Sequence, residues 1–198
     1  AHKSIVPLGK KVDSYIVKWR KNRQNENKSS IVFHGYEKDS YLISTDCPRF
    51  GSGEAKGIVN ESVRGKDIYI MLDVGNYSCT YTMAGQTQRM SPDDHYADLK
   101  RIISAMTDKP RKLTVIMPFL YESRQHKRTS RESLDCALAL QELVSMGVDN
   151  IITFDAHDPR VSNAIPLSGF ETISPTYQFI KGLLRNVKDL QIDSEHMM

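Results

Sequence analysis

Two short apolar runs constrain the fold of this chain most. They are Leu113-Thr114-Val115-Ile116-Met117, stopped by Pro118, and Ile151-Ile152-Thr153-Phe154. Each follows an amphipathic helical pattern. Ser91-Pro92-Asp93-Asp94 offers a capping hydroxyl, a proline at the first helical position and acids at the positive end of the dipole. Leu99, Ile102, Ile103 and Met106 then form one buried stripe. A second helix is predicted over 131–146, with Leu134, Ala137, Leu138, Leu140 and Val144 as its apolar positions and Gly147 at its close. Strands without polar alternation bury both faces. The pattern therefore predicts an α/β fold with a parallel sheet covered by helices.

The remaining elements are weaker. Val12, Ile16 and Trp19, with Tyr15 beside them, give a first helix of about three turns. Residues 22–30 read as a polar loop. A strand is expected from Tyr41 to about Cys47, a turn at Gly51-Ser52-Gly53, and strands over 56–59 and 67–72. Residues 75–90 carry many Thr, Gly, Gln and Tyr without a clear period and read as a long loop. Ser174-Pro175 starts a last helix through Ile180, Leu183 and Leu184.

At 198 residues, 39% hydrophobic and 26% charged, the chain has material for one α/β domain. No apolar run approaches the ~20 residues that span a bilayer, so no membrane partner is expected. Ala1-His2-Lys3-Ser4 lacks the apolar core of a secretory signal. Cys47, Cys79 and Cys136 are widely spaced and odd in number, which argues against a disulfide framework. A cytoplasmic setting is the expectation. Net charge is only +3. Lys10, Lys11, Lys18, Arg20, Lys21 and Arg23 read as a solvated helix face, and no interleaved aromatic platform points to nucleic acid.

In parallel sheets, ligands sit beyond the carboxyl ends of the strands. One such end runs into Asp155-Ala156-His157-Asp158-Pro159. If the strand alternation continues, Asp155 and His157 share a side, and an acid with an imidazole suits a metal, a phosphate or proton transfer. The other end runs into Phe119-Leu120-Tyr121-Glu122-Ser123-Arg124-Gln125-His126-Lys127-Arg128, whose cations and amide suit phosphate oxygens and base edges. No Walker A loop and no GxGxxG occurs. Taken alone, Arg49-Phe50-Gly51-Ser52-Gly53-Glu54 reads as a hairpin and Asn60-Glu61-Ser62-Val63-Arg64-Gly65 as an ordinary connection.

In order and spacing these segments resemble the N-terminal domain of ribose-phosphate pyrophosphokinases (PRPP synthetases) over about residues 41–185. The resemblance implies a three-layer, Rossmann-like phosphoribosyltransferase fold with a β-hairpin extension. It implies transfer of the β,γ-diphosphoryl group of ATP to the C1 hydroxyl of ribose 5-phosphate, with Mg²⁺, in dimers that build hexamers. By position, Phe50, Glu54, Arg124 and Gln125 would contact ATP. His157 would be catalytic and, with Asp155, close to the metal. Ser62 and Arg64 match a regulatory phosphate region. Ser52 stands where the family commonly has an acid or Asn, and His126 where an acid is usual. The sugar-phosphate loop of the family's second domain has no counterpart here. Residues 1–198 are therefore expected to be a single N-terminal domain, a fragment inactive alone. The alternatives are a catalytically silent regulatory subunit of such a synthetase and an unrelated nucleotide-binding α/β domain.

Overall fold

The computed structural model describes residues 1–25 and 38–188. In chain order the helices are α1 (Val6–Asn25), α2 (Pro92–Ala105), α3 (Asp135–Ser145) and α4 (Thr176–Asn186). The strands are β1 (Thr45–Asp46), β2 (Ile58–Val59), β3 (Asp67–Met71), β4 (Thr80–Met83), β5 (Gln86–Arg89), β6 (Lys112–Met117), β7 (Asn150–Phe154) and β8 (Gly169–Ile173).

The two apolar runs are adjacent strands of the central sheet, whose order is β3-β6-β7-β8 and whose pairs are all parallel. Ile70 lies opposite Val115, and Val115 opposite Ile151, so one face presents a continuous row of branched side chains. That face, with Leu72, Leu113 and Met117, packs against Leu99, Ile102 and Ile103 of α2 and Cys136, Leu140 and Leu143 of α3. Truncating one such fully buried leucine to alanine costs about 2–5 kcal/mol. On the opposite face Tyr69, Phe154 and Ile173 are exposed among the described residues.

α2 begins as its sequence predicts. Ser91 and Asp94 form a reciprocal capping box, with Pro92 in the first turn. The chain entering β2 lies so close to this helix that a Cβ on Gly57 would collide with the Arg101 carbonyl oxygen. Gly147 closes the α3 connection at φ +94°.

Several expectations change. α1 runs past residue 22 to Asn25, because Arg20, Lys21, Arg23 and Gln24 are good helix formers despite their polarity; residues 26–30 lie outside the described residues. Its stripe is only partly seated, with Tyr15 60% and Trp19 64% exposed. Val12, Ile16 and Trp19 instead border a cavity of about 830 Å³ against Tyr69 and Met71. The first strand shrinks to β1, since the Tyr41 N–H is taken by the Asp13 carboxylate rather than by a ladder. The segment 75–90 is not a long loop but contains the antiparallel hairpin β4–β5. Ala84 and Gly85 both have positive φ, 50° and 78°, as a two-residue hairpin turn requires. Finally, α3 starts at Asp135 rather than near Arg131, and β8 was not anticipated.

Cys136 is buried, Cys47 and Cys79 are half-buried, and all three are free. Burial pushes the Cys136 thiol up to about 11 and Cys47, with Asp98 beside it, up to about 12. Both are therefore poor nucleophiles. Among the described residues no helix is long and apolar enough to cross a membrane.

Candidate functional site

The carboxyl ends of β6 and β7 are tied together before any side chain is placed. The Phe154 N–H donates to the Pro118 carbonyl. Beyond it, Asp155 takes φ +47°, a left-handed conformation that Asp tolerates better than most residues. Its N–H donates to the Ile173 carbonyl, and the Ala156 N–H donates to Thr172 Oγ1, both on β8. The chain has therefore left the strand at Phe154, and strand alternation does not carry through to Asp155 and His157. Both side chains are exposed in a turn.

Asp158 caps the following 3-10 helix and binds Arg160 through both oxygens, with Nη2 to Oδ2 at 2.6 Å and Nε to Oδ1 at 3.0 Å. His126 reaches in from the other loop. Its Nε2 lies 3.4 Å from Asp158 Oδ2, and its ring meets that of His157 edge-on at 5.1 Å. The bonds to Arg160 hold the Asp158 carboxyl far below the usual carboxylate range. This His126–Asp158–Arg160 group was missed in the sequence because its members come from two loops.

The loop after β6 is internally braced. Glu122 takes φ +55°, and its carbonyl accepts the Gln125 N–H. The Gln125 side-chain amide donates to the Ser133 carbonyl at 2.6 Å, and the Gln125 carbonyl accepts the Cys136 N–H at the start of α3. Tyr121 stacks on Tyr96 at 4.3 Å and donates to Asp93. Burial, then the charges of Asp135 and Asp93, push Glu122 up. Arg124, Lys127, Arg128 and Arg131 are exposed, and none forms an ion pair among the described residues.

The Phe50–Glu54 hairpin is a second unit. The Phe50 N–H donates to the Glu54 carbonyl at 2.7 Å, and Arg49 bridges Ala55. Phe50 is 52% exposed, a flat apolar face turned to solvent. Ser52 Oγ donates to Glu54 Oε2 at 3.0 Å. The β4–β5 hairpin braces the tip: the Ala84 N–H donates to the Gly51 carbonyl, and Met83 packs under Gly53, which has φ +91°. In a third place, the Ser62 hydroxyl donates to the Asp108 carboxylate, which also accepts the Val63 N–H. Arg64 there is exposed.

A family model described as the N-terminal domain of ribose phosphate pyrophosphokinase matches residues 6–147. The chain belongs to the ribose-phosphate pyrophosphokinase family. Among its relatives, ribose-phosphate pyrophosphokinase 1 of Candida albicans is 26% identical over 158 residues, which cover 78% of this chain and 45% of the relative. Ribose-phosphate pyrophosphokinase 1 of Schizosaccharomyces pombe is 32% identical over 111 residues, 55% of this chain and 24% of the relative. The fold is that of the phosphoribosylpyrophosphate synthetase of Mycobacterium smegmatis, with a TM-score of 0.61, 20% identity and coverage of 75% of this chain and 45% of that one. The chain thus spans less than half the length of these relatives.

Within this pyrophosphokinase domain the expected residues fall into separate groups. Arg124, Gln125, Asp155 and His157 gather at the β6 and β7 ends, Phe50 and Glu54 stand on the braced hairpin, and Ser62 and Arg64 lie in the turn before β3. Among the described residues no three His, Cys, Asp or Glu side chains are arranged to hold a metal. Mg²⁺ does not need such a cage, because it keeps several waters and takes one or two carboxylates beside substrate phosphates. Asp155 fits that habit: its carboxylate is exposed and has no protein partner among the described residues.

Proposed function

We propose that this chain is the nucleotide- and metal-binding half of a ribose-phosphate diphosphokinase. The complete protein would transfer the β,γ-diphosphoryl group of ATP to the C1 hydroxyl of ribose 5-phosphate, giving PRPP and AMP. The observation that carries this reading is that the loop after β6, which bears the exposed Arg124, meets the turn after β7, which bears the exposed Asp155 and His157, through the Phe154–Pro118 hydrogen bond and the His126–His157 ring contact. Diphosphoryl transfer requires positioned cations around a triphosphate more than it requires covalent chemistry.

Arg124 offers a planar fork of donors to phosphate oxygens, with Lys127 and Arg128 raising the local positive potential. Phe50 offers a stacking face for the adenine, and Glu54 an acceptor for its amino group. Gln125 contributes its carbonyl end, because its amide nitrogen is committed to Ser133. Asp155 and His157 would hold Mg²⁺, which when bound neutralises triphosphate charge. The regulatory phosphate assignment rests on Arg64, since the Ser62 hydroxyl is committed to a carboxylate. The ribose 5-phosphate would lie mainly on a second domain of the longer protein, and the family's oligomers are the expected assembly.

The test is turnover with ATP, ribose 5-phosphate and Mg²⁺. The full-length protein should form PRPP and AMP, and the 198-residue chain alone should bind ATP without forming PRPP. Robust PRPP formation by the chain alone would overturn the half-enzyme reading. A second reading, a silent regulatory subunit, is favoured by one observation: the Gln125 amide and the His126 ring are tied within the protein rather than presented to a ligand. An inactive full-length protein that still binds an active synthetase would select it.

A further inference from the structure

The Phe50 hairpin hangs from a buried polar cluster. Asp98, on α2, is fully buried. One nitrogen of Arg49, the residue before Phe50, lies 3.0 Å from each Asp98 oxygen. The Arg49 side chain is itself only 6% exposed, and its guanidinium also stacks on the Tyr81 ring of β4 at 4.7 Å. Arg101 bonds the same carboxylate at 2.8 Å. His2 approaches it with Nε2 at 3.5 Å. The Ser4 N–H donates to His2 Nδ1, which leaves the ring proton on the nitrogen that faces Asp98. Burial raises the Asp98 carboxyl, but the contacts with His2, Arg49 and Arg101 outweigh it and leave the group below its usual range.

A buried carboxylate is costly unless every lone pair is used. Here its hydrogen bonds come from the hairpin base and from α2 itself, and the amino terminus adds the His2 ring at ion-pair distance. A short hairpin with an exposed aromatic tip has few apolar contacts of its own and would otherwise fray.

We infer that Asp98 is a positioning residue, which through Arg49 fixes the Phe50–Glu54 hairpin against α2 and β4 and so sets the affinity for the nucleotide base. The affinity half of this inference rests on the nucleotide reading above; the tether half does not.

The experiment uses the full-length protein. Arg49→Met removes the cation while preserving much of the side-chain volume, and leaves Asp98 with Arg101 and His2. Hydrogen exchange of the Phe50 and Gly53 amides should accelerate by about tenfold, the response to losing about 1.4 kcal/mol of local closure. The KM for ATP should rise by about tenfold with kcat within about twofold, as expected when binding common to ground and transition states is lost. Arg49→Lys, which restores a point charge without the fork, should recover part of both effects. Leu143→Ala in α3 serves as a control that destabilises the core without touching the hairpin. Exchange unchanged in Arg49→Met, or raised equally in Leu143→Ala, overturns the tether. Raised exchange with an unchanged KM overturns the affinity half. A wild-type protein that fails to bind ATP overturns the nucleotide reading, while the exchange comparison still decides the tether.

Discussion

Two aspartates hold the two halves of the candidate site; both are buried, but their arginine partners stand in opposite surroundings. Asp98 gathers two arginines and a histidine around its carboxylate, and Asp158 one arginine and one histidine. Asp98 is fully buried and its Arg49 partner nearly so, whereas Arg160, the partner of Asp158, is 79% exposed. The same chemistry therefore has different consequences. In the interior an unpaired charge has no water to turn to, so the pairing becomes structural. Where the arginine stands in water, as Arg160 does, water competes with its bonds, so that pairing orients groups more than it holds the fold. The hairpin needs the first kind of anchor because it has little core. The strand ends need only the second, because the sheet already fixes them.

The largest effect should come from the residue that neither aspartate replaces. His157→Ala in the full-length protein should lower PRPP formation by at least about 100-fold, the usual scale for a positioned side chain in the reacting site. The thermal midpoint should barely move, since the ring is exposed and, among the described residues, its only ring contact is His126. Equal losses of activity and stability would make His157 a structural residue and break the division of labour between the two regions.

Asp98→Ala comes next. It leaves the buried Arg49 without its carboxylate and should destabilise the protein by about 3–5 kcal/mol in chemical denaturation. An effect below about 1 kcal/mol, the level of a surface pair, would abolish the contrast with Asp158. Gly53→Ala should be milder, at about 1–2 kcal/mol for a side chain forced to φ +91°. Part of its effect depends on whether Met83, whose Sδ would lie 2.7 Å from the new Cβ, can turn aside.

The two regions were unequally legible in the sequence. The strand ends stood out because β6 and β7 are short apolar runs and Pro118 and Asp155 end them locally. The Asp98 cluster did not, although a signal was present. His95 falls on the buried stripe of α2, at helical spacing with Leu99, Ile102 and Met106. A histidine on that stripe, beside an aspartate three residues on, is a reason to look for a buried polar network. Its partners, Arg49 and His2, lie 49 and 96 residues from Asp98 by number, which no local pattern reaches. β4–β5 escaped because β5 is polar throughout and the alternation of Tyr81 and Met83 in β4 spans only four residues. β8 escaped because Glu171 and Thr172 interrupt its apolar character, and its identity comes from pairing with β7.

His95 offers a pH test of the buried region. Its Nε2 donates to the Asn76 carbonyl, its Nδ1 is buried without a partner among the described residues, and its ring meets His2 edge-on at 5.5 Å. Burial first, and the neighbouring His2, lower its pKa despite the Asn76 bond and the charge of Asp98. Unfolding exposes an imidazole that titrates near 6.5, so below that pH the unfolded chain binds the extra proton. Stability from His95 is then present above about 6.5 and lost as pH falls toward the folded value, with a slope of at most about 1.4 kcal/mol per pH unit. His95→Phe should flatten denaturation midpoints between pH 6.5 and the acid limb. An unchanged slope would show that the ring protonates in place.

The smallest effect separates the two aspartates most cleanly. Asp158→Asn removes a charge whose main partner, Arg160, stays in water, so the part of the loss that comes from that pair is electrostatic and screened. The small difference in thermal midpoint from wild type should fade between low salt and about 1 M, where the screening length falls to about 3 Å. Acid should not mimic the substitution at ordinary pH, because the Asp158 carboxyl is held far below its usual range and stays charged until strongly acid conditions. The deficit of Asp98→Asn should persist at every salt concentration, because mobile ions do not enter the space between α2 and the hairpin. If the two deficits responded to salt alike, Asp98 would have to be open to solvent, and the hairpin would need another anchor.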